Sequence, residues 1–208
     1  MAKLKHPPPY PPTKPVIRLD LYGPWYAFPS WDLHVECTTV LGDNLYTPLQ
    51  MQWWLGTSYM WAVRRAEART VVVEQNKQLI GFIDVDDTGF IDKIYVKPEM
   101  TRKRIGTLLL GWATRETIYC HCREIATVAS PLARPFFEAN GFTIEKTMRR
   151  NINGARITSY LMVKSLVAKN VEVYERLPAM VPEFELEVAV RPKQRAKFMD
   201  RRWRGYHR

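Results

Sequence analysis

Residues 91–114, IDKIYVKPEMTRKRIGTLLLGWAT, limit what this chain can fold into more than any other stretch. Ile91, Ile94, Tyr95 and Val96 are the β-branched and aromatic residues of a buried strand. Pro98 breaks that run, a basic loop follows, and Gly106 opens a segment in which Leu108, Leu109, Trp112 and Ile118 fall at helical spacing. A strand that passes through a short basic loop into a helix makes an anion cradle. The first turn of such a helix presents backbone N–H groups with no intrahelical partner, together with the positive end of the helix dipole. Arg102, Lys103, Ile105 and Gly106 are the residues placed to use both.

The spelling V-x-P-E-x-x-R-K-x-I-G-T-x-L-L resembles the coenzyme A loop of the GNAT superfamily of N-acetyltransferases. That loop usually carries Gln or Arg, then Gly, then Gly or Ala at three fixed places. Here these are Thr101, Arg104 and Gly106, and only the last agrees. A second block, ATVASPLARPFFEANGF over residues 126–142, resembles the family's fifth strand, fourth helix and the Gly-Phe that begins its sixth strand, and NGARITSYLMVK resembles the closing strand. No G-x-G-x-x-G follows an early strand, as a dinucleotide fold would require. The resemblance spans residues 70–164. It implies an α/β (α+β) GNAT fold: a mixed central sheet of about seven strands flanked by about four helices, with N- and C-terminal extensions.

It also implies a chemistry, the transfer of an acetyl group from acetyl-CoA to an amine. Carried over position by position, the backbone of Ile94, Tyr95 and Val96 holds the pantetheine arm and polarises the thioester carbonyl, and residues 102–107 take the pyrophosphate. Arg104 stands where the family has glycine: its bulk keeps the backbone away from phosphate, or its guanidinium fork clamps the phosphate instead. Many relatives place an acidic tyrosine in the pattern Phe-Tyr-x-x-x-Gly-Phe. Here Phe137 takes that place without a hydroxyl, which leaves Tyr95 and Tyr160 as candidate acids by location. Asp92 is the candidate base, with a cap or an ion pair to Lys93 or Arg123 as its alternative role. Glu99 and the group Asp84, Asp86 and Asp87 read as turn and surface carboxylates.

Along the chain, residues 1–15 form a proline-rich basic arm, 16–164 the acetyltransferase domain, and 165–208 an extension ending in a basic aromatic tail. Residues 47–67 read as a helix that Gly56 can kink, with Leu49, Trp53, Trp54, Met60 and Trp61 facing inward. Residues 70–96 read as three strands in a meander. The formal charge of +10 is carried by the two ends, since Lys3, Lys5 and Lys14 precede the domain and eight Lys or Arg against one Asp follow it from residue 191. In the tail, Arg191, Lys193, Arg195, Lys197, Arg201, Arg202, Trp203 and Arg204 combine phosphate charge with a stacking surface, which suits an RNA or ribonucleoprotein partner. A solvated basic tail is the alternative.

No apolar run of about 18 residues suggests a membrane span. No signal-peptide core opens the chain, and Cys37, Cys120 and Cys122 give no disulfide framework. A cytoplasmic protein, or one of an organelle matrix such as the mitochondrial, is expected. Cys120-His121-Cys122 lacks a second ligand pair, so no metal site is expected there.

Overall fold

The computed structural model describes residues 14–58, 60–152, 154–166 and 177–188. In chain order the elements are β1 (Val16–Leu21), α1 (Ala27–Gly42), α2 (Pro48–Leu55), α3 (Trp61–Glu67), β2 (Arg69–Gln75), β3 (Gln78–Val85), β4 (Phe90–Ile91) and β5 (Ile94–Val96). Then come α4 (Ile105–Tyr119), β6 (Glu124–Ala129), α5 (Arg134–Ala139), β7 (Thr143–Ile152), β8 (Ala155–Ser165), α6 (Leu177–Met180) and β9 (Glu185–Val188). One sheet runs β5-β3-β2-β1-β9 and the other β4-β6-β8-β7.

The valine-rich β2 and its partner β3 are covered on both faces. Val72 and Phe82 pack with Leu33, Cys37 and Trp61 from α1 and α3. Val71, Val73 and Ile83 pack with Leu108, Leu109 and Trp112 of α4. The turn between these strands sets Asn76 and Lys77 both at positive φ, 51° and 63°, which matches the twist of a tight hairpin.

Two expectations change at the level of elements. The helix expected over residues 47–67 is two helices. Thr47 and Gln50 cap α2 reciprocally, and Gly56, at φ 61°, ends it in a conformation that L side chains avoid. Of its expected inward residues only Trp61 is buried; Leu49 and Met60 are exposed.

The third strand of the meander is in two pieces. Ile91 and Ile94 both pack on the α4 side although they are three residues apart, whereas strict alternation would put residues 91, 93 and 95 on one face. Asp92-Lys93 therefore holds one residue too many, a bulge that re-aims the chain. Before it, β4 pairs in parallel with β6; after it, β5 pairs antiparallel with β3.

Part of the C-terminal extension belongs to the core. Leu177, Val181 and Phe184 are buried with the α4 residues, and β9 adds to β1 in parallel register from Val16↔Glu185 to Leu19↔Val188. Gly111 of α4 makes room for this: a Cβ there would lie 3.0 Å from Met180 Sδ. No helix among the described residues is long and apolar enough to cross a membrane.

Candidate active site

The bulge opens a gap between two strands. β4 and β6 are paired at Phe90↔Ala126 and Ile91↔Thr127, a junction fastened by the Thr127 hydroxyl on the Ile91 carbonyl at 3.0 Å. Beyond it β5 follows β3, while β6 continues beside β8 to Ala129↔Tyr160. The register shows which backbone groups face the gap. Tyr95 is paired with Phe82, the Lys97 N–H donates to the Ile80 carbonyl at 2.8 Å, and the Asp84 N–H donates to the Lys93 carbonyl at 3.1 Å. Antiparallel alternation thus spends the backbone of Lys93, Tyr95 and Lys97 on β3 and turns that of Ile94 and Val96 the other way. Of the three strand residues expected to hold a pantetheine arm, two present backbone groups and Tyr95 does not. The Val96 carbonyl also accepts from the Cys37 thiol at 3.1 Å, and burial pushes that thiol up to about 12.

At its far end β5 leads through a 3-10 turn, Pro98–Met100, to α4. Arg102 and Arg104 both sit at positive φ, 60° and 63°, and Arg104 occupies the cap position without a capping side chain. The first turn of α4 is left open, with Arg102, Lys103 and Arg104 exposed around it. Ile105 is buried in the core and Thr107 is half-buried. Gly106 serves packing as well as access, because a Cβ there would lie 3.0 Å from the Phe136 ring.

That contact bears on the helix expected to supply an acid. Phe137 is 1% exposed and packs against Phe136 and Phe142, with ring centroids at 5.2 and 5.1 Å. Phe136, its neighbour, reaches the first turn of α4. Tyr160 is half-buried on the same side, and the Arg134 guanidinium lies 4.9 Å over its ring. Tyr95 points the opposite way, into a cluster with His34 at 4.9 Å and Phe82 at 5.6 Å, where burial holds its phenol well above the ordinary tyrosine range. The structure therefore separates the two tyrosines across the sheet.

Asp92 sits in the bulge at the mouth of the gap. Its two oxygens meet two cations, Arg65 at 2.5 Å and Lys93 at 2.7 Å, so the ion pair to Lys93 forms and a second one joins it. Arg65 is 2% exposed, lies 4.5 Å over the Trp61 ring, and also pairs with Asp84. Asp84 is not a surface carboxylate as expected: it is 1% exposed and accepts from the Lys93 N–H at 2.7 Å. Burial raises its pKa to about 6 against the pull of Arg65. Asp86 is the turn carboxylate, accepting from the Thr88 and Phe90 N–H groups. Sequence reasoning missed Arg65 and Asp84. The available signal was a lone acid at the end of the otherwise apolar β3.

His34 closes the α1 side. Its Nε2 bonds the Leu55 carbonyl at 2.9 Å, its ring stacks on Trp61 at 4.7 Å, and burial lowers its pKa to about 4, so it is neutral. Next to the end of β6, Leu45, Tyr46, Gln50, Trp54, Pro131, Ile157 and Thr158 line a cleft of about 90 Å³. Residues 191–204, expected to bind nucleic acid, lie outside the described residues.

Comparison with known proteins agrees with this geometry. A crystal structure of a GCN5-related N-acetyltransferase from Rhodopseudomonas palustris superposes with TM-score 0.67 at 23% identity, covering 74% of this chain and 97% of that one. The PaiA N-acetyltransferase of Thermoplasma acidophilum, crystallised with coenzyme A, gives 0.57 at 18% identity, covering 72% and 99%. In sequence, the uncharacterised N-acetyltransferase YafP of Escherichia coli K12 is 29% identical over 131 residues, 62% of this chain and 83% of YafP. The sequence profile described as Acetyltransferase (GNAT) domain matches residues 56–166, more than half the chain. With the strand gap, the open helix turn and this match in agreement, the chain belongs to the GNAT acetyltransferase family.

Proposed function

We propose that the chain transfers the acetyl group of acetyl-CoA to an amine. The carrying observation is the gap between β5 and β6, which is continuous with the uncapped first turn of α4. A coenzyme arm fits the donors present. Val96 and Ile94 offer backbone groups that β3 does not use, and the N–H groups of Ile105, Gly106 and Thr107, flanked by Arg102, Lys103 and Arg104, suit a diphosphate. When bound, acetyl-CoA supplies an activated acetyl thioester.

The chain's own residues would orient the reactants and move a proton. Asp92 is the carboxylate nearest the mouth of the gap and would receive the amine's proton, with Arg65 and Lys93 fixing its place. Tyr160 is the hydroxyl on the α5 side that can serve as acid, since Phe137 has none. The test is calorimetric titration with coenzyme A and with pantetheine, which lacks the diphosphate. Coenzyme A should bind and pantetheine should bind far more weakly; no heat with coenzyme A at about 1 mM would sink the reading.

Two observations favour a second reading, a catalytically weak or inactive GNAT-fold subunit of an RNA–protein or DNA–protein assembly, anchored by its basic termini. Phe137 is buried among phenylalanines, and Asp92 is held by two cations. The basic residues at 191–204, with Trp203, would then be the RNA contact.

A further inference from the structure

We infer that the acceptor is a primary amine carrying a single uncharged ring, and that this ring seats against the paired rings of Tyr46 and Trp54. The inference rests on the acetyl-transfer reading above and names its acceptor class. Three observations carry it.

The first is the chemistry of the lining. Leu45, Tyr46, Gln50, Trp54, Pro131, Ile157 and Thr158 include no carboxylate and no cation. Tyr46 is the one titratable group among them, and burial raises its pKa, so it stays a neutral phenol at physiological pH. The Tyr46 and Trp54 rings are 5.9 Å apart and tilted by 33°, so they pack on each other and present an aromatic surface to the cleft. Such a wall rewards apolar area and ring contact. It offers nothing to the second and third charges of a polyamine, and desolvating them here would cost free energy.

The second is size. About 90 Å³ is well below the ~300–1,000 Å³ of sites that enclose drug-sized ligands, so the cleft takes one ring or one branch of a molecule.

The third is position and rigidity. Pro131 lies two residues beyond Ala129, the end of the β6 strand that bounds the gap, so a ring held there leaves its amine on the gap's side of the cleft. The opposite wall is fixed: the Gln50 side chain accepts from the Thr47 N–H at 2.9 Å and donates to the Arg156 carbonyl at 2.7 Å, tying α2 to β8. A wall pinned at both ends needs little ordering on binding.

The experiment compares phenethylamine, n-butylamine, spermidine and glycyl-aspartate as acceptors with acetyl-CoA, alongside nitrogen-15 spectra of the Trp indole signals. Phenethylamine should have the highest kcat/KM, about tenfold above butylamine, and should shift the Trp54 indole signal. Trp54→Ala should erase that preference, by raising KM for phenethylamine more than for butylamine, while leaving coenzyme A affinity unchanged. Gln50→Ala should loosen the wall and raise KM for phenethylamine more than it lowers kcat. A preference for spermidine or the acidic dipeptide, an equal loss for every amine in Trp54→Ala, or no Trp54 shift with any amine would overturn the inference. Failure of coenzyme A to bind would instead sink the acetyl-transfer reading, and the indole titration would still report whether the ring seats.

Discussion

Arg104 holds a left-handed backbone, φ 63°, at the cap of α4, the helix proposed to bind the diphosphate. An L side chain there costs about 1 kcal/mol or more, which glycine avoids, though glycine also loosens the unfolded chain. Its exposed guanidinium stands beside an open helix turn, so charge is the benefit set against that strain. Arg104→Gly should leave the fold equally stable or raise stability by about 0.5 kcal/mol. It should also weaken coenzyme A binding about three- to tenfold at low salt, with the deficit shrinking as salt rises. Chemical denaturation and titration at two ionic strengths read both effects. Tighter binding in the variant would mean that the side chain obstructs rather than clamps. Asp92 calls for a different readout because it is both a partner of Arg65 and the candidate base. If it takes the amine's proton, Asp92→Asn should lower kcat by about 100-fold and remove the acidic limb of the pH–rate profile. Lys93→Met, which takes one cation off the carboxylate, should move that limb to higher pH. An unchanged profile in both would leave Asp92 a structural ion-pair partner. The sequence made Asp92 legible because a strand carboxylate is conspicuous. It left Asp84 and Arg65 obscure because their pairing joins β3 to α3, and no local pattern reports a contact between residues 19 apart.

At the scale of elements, periodicity located most of the fold. The spacing of Leu108, Leu109 and Trp112 predicts α4, while the start of β7 after Gly141-Phe142 was legible only through the family resemblance. What periodicity could not show was the bulge. Its evidence is that Ile91 and Ile94 share a face, and a reader of the sequence has no means of knowing which face each residue takes. That single extra residue divides the sheet and creates the gap, so the site depends on the least legible feature of the strand. The packing of α1 on this strand carries its own prediction. His34 is neutral in the fold, its pKa lowered to about 4 from the ordinary 6.5 by burial. Between those values the unfolded chain binds the proton and the folded one does not, so the His34 contribution is complete above pH 6.5 and is lost as pH falls toward 4. Its full size is about 3 kcal/mol. Asp84 acts in the opposite sense, because its raised pKa makes the folded chain the better proton binder between about 4 and 6. The two partly cancel in the parent protein. The difference between parent and His34→Gln isolates the histidine: urea denaturation from pH 7 to pH 4 should show the parent losing more stability than the variant by up to about 3 kcal/mol. Parallel pH curves would mean that His34 is protonated without cost.

At the scale of the whole molecule, the C-terminal region divides in a way that composition only partly suggests. Residues 165–190 are too apolar for a free linker, but nothing in their sequence says that β9 would run parallel to β1, a pairing between opposite ends of the chain. The structure seats Leu177, Val181 and Phe184 in the same core as α4 and places Met180 against Gly111. Removing this segment would uncover the side of α4 that packs on Leu177 and Met180, and the first turn of that helix is the proposed anion cradle. Removing the residues beyond it would take away charge. Two truncations separate these roles. A chain ending at Val190 should melt like the parent and bind coenzyme A equally well, while losing the salt-dependent affinity for single-stranded RNA expected of its eight basic residues. A chain ending at Leu166 should lose several kcal/mol, since burial of Leu177, Val181 and Phe184 contributes about 1.5–3 kcal/mol per side chain, and coenzyme A binding should fall with it. Thermal melts, calorimetry with coenzyme A, and anisotropy with a labelled RNA at low and raised salt measure the three properties on the same preparations. If the chain ending at Val190 keeps its RNA affinity, the tail is a solvated arm and any RNA contact belongs to the domain. If the chain ending at Leu166 is as stable as the parent, α6 and β9 lie on the surface of a core already complete without them.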